Sequence, residues 1–385
     1  MKKLGNFLLV TGLLISSLKA DAQQSTRLNT GWEFLKQDLG GIWEAIRPVG
    51  KGNPESVPLW QDVTLPHCVN AIDGVDPDVN YYQGPAWYRT QLTISNPYAK
   101  GRTLLHFEGA GQKISVYVYD KLVKSHVGGY DEFTADITDA VEAFKKNPVC
   151  QKQFNGKIPV SIRTDNSRDL EMIPSSLSDF NIYGGIYRYL NLVYVPAVSF
   201  DKLFVKAEVD KEGKAGKLTV TPRFYDPAFE GGEASIELRI TDPSGKLVQQ
   251  KTVAMPVEGP EPIELDIKKP RVWSTDNPQL YTIEAILKTS NGDVKQLNKT
   301  GFRYTEFVEQ GPFLLNGKRL LLRGTHRHED HAGVGAAMTE DMMRQEMIMM
   351  KEMGVNFIRL GHYQQSRIIL DLCDSLGILV WEEIP

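Results

Sequence analysis

Residues 320–385 repeat a strand–helix unit, and that alternation restricts the fold more than any other feature of the chain. After the turn dipeptide Asn316-Gly317, the apolar run Leu320-Leu321-Leu322 reads as a buried strand that stops at the polar cluster Arg323-Gly-Thr-His-Arg-His-Glu-Asp-His331. A helix is predicted next, with Thr339 as N-cap, Glu340 and Asp341 at the positive end of its dipole, and Met343, Met347 and Met350 at helical spacing up to Gly354. Residues 355–360 read as a second strand ending in Gly361-His362-Tyr363. The unit then repeats, with Ser366 as N-cap, Ile369, Leu372, Cys373 and Leu376 on one face, Gly377 just past the helix, and a third strand over 378–381.

Strands alternating with helices imply right-handed βαβ units and a parallel sheet, in which chemistry sits at the carboxyl ends of the strands. His326, His328, His362, Tyr363, Glu382 and Glu383 all occupy such ends. The pattern is the start of a (β/α) barrel or of an open α/β sheet. A closed barrel takes roughly 250 residues. Residues 320–385 supply about a quarter of that, so an incomplete barrel is expected.

The preceding residues read as β structure. Over 23–195 short strands and turns are expected in preference to helices: Ile114, Val116 and Val118 alternate with other residues, and Gly128-Gly129 and Gly184-Gly185 punctuate the runs. This favours a sandwich or a jelly roll. From Pro196 the alternation resumes at Ile236, Leu238, Ile240 and at Ile263, Leu265, Ile267, with turns at Asp242-Pro-Ser-Gly245 and Asn291-Gly292, which suits an immunoglobulin-like β-sandwich. The expected division is 1–22, 23–195, 196–303 and 304–385.

Residues 1–22 carry a secretory pattern: Lys2 and Lys3, an apolar core over 7–15, and Ala20-Asp21-Ala22 as a cleavage site. Export to the periplasm or beyond the cell is therefore expected. Cleavage would remove Lys2, Lys3, Lys19 and Asp21, a net +2, taking the formal charge from −4 to −6. Without a basic patch, nucleic acid is not an expected partner, and the apolar core is too short to span a membrane. Cys68, Cys150 and Cys373 have no metal-ligand spacing among them, and Cys373 falls on an apolar helix face.

Several phrases now stand in order: Trp60-Gln-Asp-Val-Thr-Leu-Pro-His67, Tyr82-Gln-Gly-Pro-Ala-Trp-Tyr-Arg89, Phe107-Glu-Gly-Ala110 and Gly128-Gly-Tyr-Asp-Glu-Phe133. Asp179-Phe-Asn-Ile-Tyr-Gly-Gly-Ile-Tyr-Arg188, Trp273-Ser-Thr-Asp-Asn-Pro278, Gly301-Phe-Arg303 and Leu315-Asn-Gly-Lys318 follow. The set resembles glycoside hydrolase family two, the β-galactosidases, β-glucuronidases and β-mannosidases. That resemblance implies a jelly-roll sugar-binding domain, an immunoglobulin-like β-sandwich and a catalytic (β/α)8 TIM barrel, here only its first strands. It further implies an exo-acting retaining glycosidase, in which one carboxyl protonates the leaving oxygen and a second, about 5 Å away, attacks the anomeric carbon.

The family's two catalytic glutamates correspond to no residue of this chain, so no catalytic residue is expected within it and the isolated chain is expected to be inactive. Adjacent Glu382 and Glu383 point to opposite faces of a strand and cannot converge on one bond. Glu329 lacks an identifiable partner and reads equally as a charge-paired loop carboxylate. Substrate-binding roles carry over to Asp179, His328 and His362, since a hydroxyl-rich ligand needs fixed donors and acceptors. His326 stands where many relatives have asparagine. Family members that use magnesium place its ligands past Pro385, so no cofactor and no metal ligand is expected here.

The expected ligand is a β-linked oligosaccharide or glycoside, first a β-galactoside, with β-glucuronide and β-mannoside as alternatives. Self-association is compatible with the sequence and unspecified by it. Two other readings stand beside these: a non-catalytic carbohydrate-binding fragment, and a metal-dependent amidohydrolase, whose HxH pattern His326-Arg327-His328 resembles. The amidohydrolase reading explains neither β region.

Overall fold

A computed structural model describes residues 24–47, 60–175, 178–229, 232–290 and 292–384. The secretory pattern over 1–22 and Asn291 of the second sandwich turn lie outside the described residues. The architecture is the expected one: two β-sandwich regions followed by strand–helix units, with no closed barrel among the described residues.

The first region stacks two antiparallel sheets. Gln24–Arg27, Leu190–Val195, Arg102–Phe107 and Phe133–Asp136 are neighbours in one. The other runs Gln61–Val63, Trp32–Leu35, Pro85–Leu92, Ile158–Asp165, Lys113–Val118, Lys121–Val127. The inward residues of both sheets, among them Trp32, Tyr88, Leu105, Phe107, Ile114 and Val116, make one core. Helices interrupt the expected all-β pattern at Thr138–Lys145 and Pro148–Gln153. Ala140, Val141 and Phe144 bury one face of the first. Asn147 caps the second, accepting from the backbone N–H of Val149 and Cys150, with Pro148 in the opening turn where its missing N–H costs nothing. The apolar positions Ala140, Val141 and Phe144 follow helical spacing, a local signal that the reading of this region as strands and turns passed over.

The second region pairs a three-stranded sheet (Ser199–Val209, Ala215–Tyr225, Ile263–Lys268) with a four-stranded one (Leu247–Pro256, Glu233–Thr241, Tyr281–Thr289, Gly292–Thr300). Ile236, Leu238, Ile240, Ile263, Leu265 and Ile267 all point into its core, as their alternation requires.

The third region has β1 (Gly324–Arg327), α1 (Glu340–Glu352), β2 (Phe357–Leu360), α2 (Arg367–Leu376) and β3 (Leu379–Glu382). The three strands are parallel, in the order β1-β2-β3. Thr339 caps α1 and Ser366 caps α2, each side chain accepting a backbone N–H two or three residues on. Met343, Met347, Ile369, Leu372 and Cys373 pack the helices onto Ile358 and Leu360. Leu320-Leu321-Leu322 is not the first strand: Leu321 is 66% and Leu322 38% exposed, and pairing with β2 opens at Gly324. The Asn356 side chain holds that stretch instead, donating to Leu321 O at 3.0 Å and accepting from Arg323 N at 2.8 Å.

Four contacts fix how the regions meet. Trp273, buried at the seam between second and third regions, donates its indole N–H to Asp374 O at 2.7 Å. Gly377 takes the left-handed conformation that ends α2 (φ 73°), and a Cβ there would stand 2.3 Å from Thr275 O. Glu132 of the first region accepts from Lys202 of the second at 3.0 Å and from Arg367 of α2 at 2.7 Å. Between first and third regions lies a buried ion pair: Arg188 (3% exposed side chain) donates through Nε to Glu329 Oε1 (2%) at 2.7 Å. The other Arg188 nitrogens reach Tyr130 O at 2.9 Å, Glu108 O at 3.3 Å and Gln364 O at 2.7 Å. Glu329 Oε2 accepts from Ser366 N at 2.6 Å.

Removing one partner of such a pair strands the other in a dry site, at a cost of about 3–5 kcal/mol. Arg188→Met is expected to lower the denaturation free energy by about that amount; equilibrium unfolding in guanidinium chloride checks it, and a change under about 1 kcal/mol would contradict the role given to the pair. A second expectation concerns acid. His67 packs on Phe34 at 4.5 Å with Nδ1 2.8 Å from Tyr88 OH, and burial, helped by nearby Lys36, pushes its pKa from 6.5 down to about 4. The folded state therefore takes up this proton later than the unfolded chain does, and stability falls as pH drops from 6.5 towards 4. His67→Gln should flatten that part of a stability–pH profile by up to about 3 kcal/mol.

Candidate functional site

Parallel pairing places His326 beside Arg359 and Arg359 beside Trp381. Alternation then separates two faces. Arg327, Leu360 and Glu382 stand on the helix side, where Arg327 donates to Glu346 of α1 at 2.9 Å and to Gln365, and Glu382 accepts from Gln365 N. His326 and Arg359 open on the other side, joined at the strand ends by His328 and His362. The three imidazole centroids form a near-equilateral triangle with sides of 4.8, 5.4 and 5.2 Å.

Arg359 organises this floor. Its Nε donates to Glu383 Oε1 at 2.6 Å, Nη1 lies 2.8 Å from His326 Nδ1, and Nη2 lies 3.1 Å from His362 Nδ1. A guanidinium can only donate, so His326 Nδ1 accepts and the ring's proton sits on Nε2. His362 Nδ1 has a second neighbour, Glu383 Oε2, at 3.0 Å, to which it can donate in the other tautomer. Burial, reinforced by the neighbouring imidazoles and Arg359, holds the His326 pKa below its ordinary value. Burial does the same for His328 and outweighs the pull of Asp330 and Asp179. Both rings are neutral at pH 7. For Glu383, partial burial works upward, but the hydrogen bonds from Arg359 and His362 prevail and the carboxyl stays ionised below the usual range.

The first region supplies the opposite wall. Phe180 stacks on His362 at 5.4 Å with the planes 25° apart, and it lies 6.2 Å from His328 and 5.5 Å from Tyr363. Tyr363 in turn stacks on Tyr130 at 3.9 Å. Asp179 and Phe180, with His362, Trp381, Glu382 and Glu383, line a cleft of about 880 Å³. Asp179, His328 and His362 therefore meet in one place although they lie on two regions of the chain. Glu329 is elsewhere, consumed by Arg188 and Ser366. Glu382 and Glu383 diverge, one towards Gln365 and the other towards Arg359, and form no acid–nucleophile pair.

One expectation is overturned. The chain was expected to hold no metal ligand and no cofactor, yet His326, His328 and His362 present ligand atoms that all lie within 4.8 Å of one another, a group able to hold a metal ion. Spacing along the chain shows only the HxH pair. The third imidazole joins through the β1–β2 register, which no local motif encodes. Arg359, Phe180 and Glu383 were also passed over as functional. The available signal was a charged residue in a strand otherwise built as Phe357-Ile-Arg-Leu360, which needs a partner on its face.

The tautomer assignment is testable at pH 7.5 with histidine-selective ¹⁵N labelling and long-range ¹H–¹⁵N spectra. His326 should show its proton on Nε2, and Arg359→Met should shift it to a tautomer mixture; an Nδ1–H form of His326 in the unmodified chain would contradict the Arg359 contact.

Comparison with known proteins accords with this geometry. Residues 50–196 match the glycosyl hydrolases family 2 sugar binding domain, 198–303 match glycosyl hydrolases family 2, and 307–385 match the family's TIM barrel domain. The structure of Parabacteroides merdae beta-glucuronidase superposes with a TM-score of 0.91 at 59% identity, over 94% of this chain and 45% of that one. For the apo structure of Bacteroides uniformis beta-glucuronidase 3 the values are 0.88, 57%, 95% and 46%. A beta-glucuronidase of Bacteroides fragilis is 30% identical over 97% of this chain and 51% of its own length. The chain thus spans about half the length of these relatives. Three matched regions, in one order and together covering nearly all of the chain from residue 50 onward, make it a member of glycosyl hydrolase family 2.

Proposed function

We propose that this chain forms the sugar-binding part of an exo-acting, retaining β-glycosidase, that its substrates are β-glucuronides, and that Asp179, His328 and His362 bind the sugar. The observation that carries the reading is the convergence of these three side chains from two regions: Asp179 and His362 line one cleft, and His328 stands 5.2 Å from His362 at its edge. The Asp179 carboxylate accepts from two sugar hydroxyls, the imidazoles of His328 and His362 offer ring nitrogens as hydrogen-bonding partners, and the Phe180 ring covers an apolar C–H face. Glucuronide replaces galactoside as the first choice because the relatives at 57% and 59% identity are β-glucuronidases. The division at 23–195, 196–303 and 304–385 goes with this reading, as does export directed by residues 1–22; no described helix is long and apolar enough to cross a membrane.

Retention of configuration needs two carboxyls about 5 Å apart. The proposal assigns that pair to no residue of this chain and assigns hydrolysis to the full-length protein.

Hydrolysis of 4-nitrophenyl β-glucuronide, β-galactoside and β-mannoside by the full-length protein tests the choice. The glucuronide should lead in kcat/KM by at least about 100-fold, since a site built around one polar group rejects analogues lacking it; leadership by the galactoside would overturn it. Asp179→Asn, His328→Ala and His362→Ala should each lower kcat/KM by about 10- to 100-fold, as loss of a charged or buried hydrogen bond to substrate does. Unchanged kinetics in all three variants would remove the binding roles.

A further inference from the structure

We propose that His326, His328 and His362 form a binding site for a borderline divalent cation of the zinc class, ligated through their Nε2 atoms, and that Arg359 keeps this site weak. The site shares His328 and His362 with the sugar-binding reading but does not depend on it, and its test contains no sugar.

Geometry and ligand type support it together. The three rings face one another in a triangle, with all ligand atoms within 4.8 Å. Bonds of 2.0–2.1 Å in a tetrahedron would set the nitrogens about 3.4 Å apart, so the rings must close by roughly an ångström. His328 is free to do so, having no side-chain hydrogen bond among the described residues. Three imidazoles suit zinc, copper or nickel and not magnesium or calcium, which take oxygen ligands. The cleft reaches the triad at His362, the side from which a water could come as fourth ligand.

The surroundings of the ligands act in opposite senses. Glu383 Oε2, 3.0 Å from His362 Nδ1, is placed to accept a hydrogen bond from Nδ1–H, which leaves Nε2 as a lone pair, the carboxylate–histidine arrangement that supports metal ligands. Arg359 does the reverse at His326. By donating to Nδ1 at 2.8 Å it puts the ring's proton on Nε2, where the cation would bind, and it adds a positive charge beside it. A cation enters only if Arg359 releases His326, which it can do while keeping Glu383. This predicts an unusual sign: removing a residue next to the site should strengthen binding.

The experiment is a calorimetric titration of the full 385-residue chain with zinc sulfate at pH 7.5, in a buffer that does not chelate. One zinc per chain is expected, with His326→Gln and His328→Gln each weaker by about 10- to 100-fold and Arg359→Met tighter by about 10-fold or more. Magnesium should give no heat of binding. Copper(II) bound to the unmodified chain should show nitrogen hyperfine structure from three imidazoles by electron paramagnetic resonance, a readout that needs no variant to fold. The proposal is overturned by the absence of saturable zinc binding, by zinc affinity that neither histidine change alters, by weaker zinc in Arg359→Met, or by a copper spectrum with fewer than three nitrogens.

Discussion

The ion pair between Arg188 and Glu329 is the constraint on which the remaining geometry depends. Both groups are withdrawn from water, so each is tolerable only because the other is there. The guanidinium is planar and its donors point in fixed directions. With those donors committed to Glu329, Tyr130 O, Glu108 O and Gln364 O, the jelly roll and the ends of β1 and β2 are left with one relative position. Asp179 and Phe180 lie on the run of chain that ends at Arg188, and they arrive over His362 as a consequence. The Tyr130–Tyr363 stack and the hydrogen bond from Tyr183 to Asp330 at 3.0 Å reinforce the same placement.

Local patterns carried the fold well where one element could be read by itself. The caps at Thr339 and Ser366, the left-handed Gly377 and the alternation at Ile236, Leu238 and Ile240 are all set by a few neighbouring residues. Failures came where a partner far along the chain decides. Leu320-Leu321-Leu322 has a strand's composition, but the side chain of Asn356 occupies its backbone. The site divides in the same way. Histidines at strand ends were visible as candidates, whereas the triangle they form with Arg359 and Glu383 arises from strand register and cannot be seen until His326 is known to stand beside Arg359. Family resemblance named β-linked sugars as a class and ranked galactoside above glucuronide, because contacts that separate such sugars are not distinguishable in these motifs.

Within the cleft, one arginine reconciles groups that would otherwise conflict. Three imidazoles crowded together repel one another when protonated, and both His326 and His328 are depressed in pKa partly for that reason. Arg359 supplies the only nearby charge able to satisfy Glu383 and, at the same time, to saturate two imidazole nitrogens among the described residues. The floor is thereby fixed in position, and His326 in its tautomer. Such fixed polarity favours a ligand carrying several hydroxyls in set directions over one that is merely apolar.

Glu132 has a consequence of a different kind, in the order of synthesis. Its carboxylate is shared by Lys202 and by Arg367, 235 positions downstream. A chain made from its N-terminus presents Glu132 and then Lys202 well before Arg367 exists, and regions of this size fold as units while later residues are still being added. The first two regions can therefore meet and hold their contact on the ribosome with one acceptor site still vacant. Arrival of α2 fills it. The carboxylate thus serves as a landing point for α2 on a platform already built.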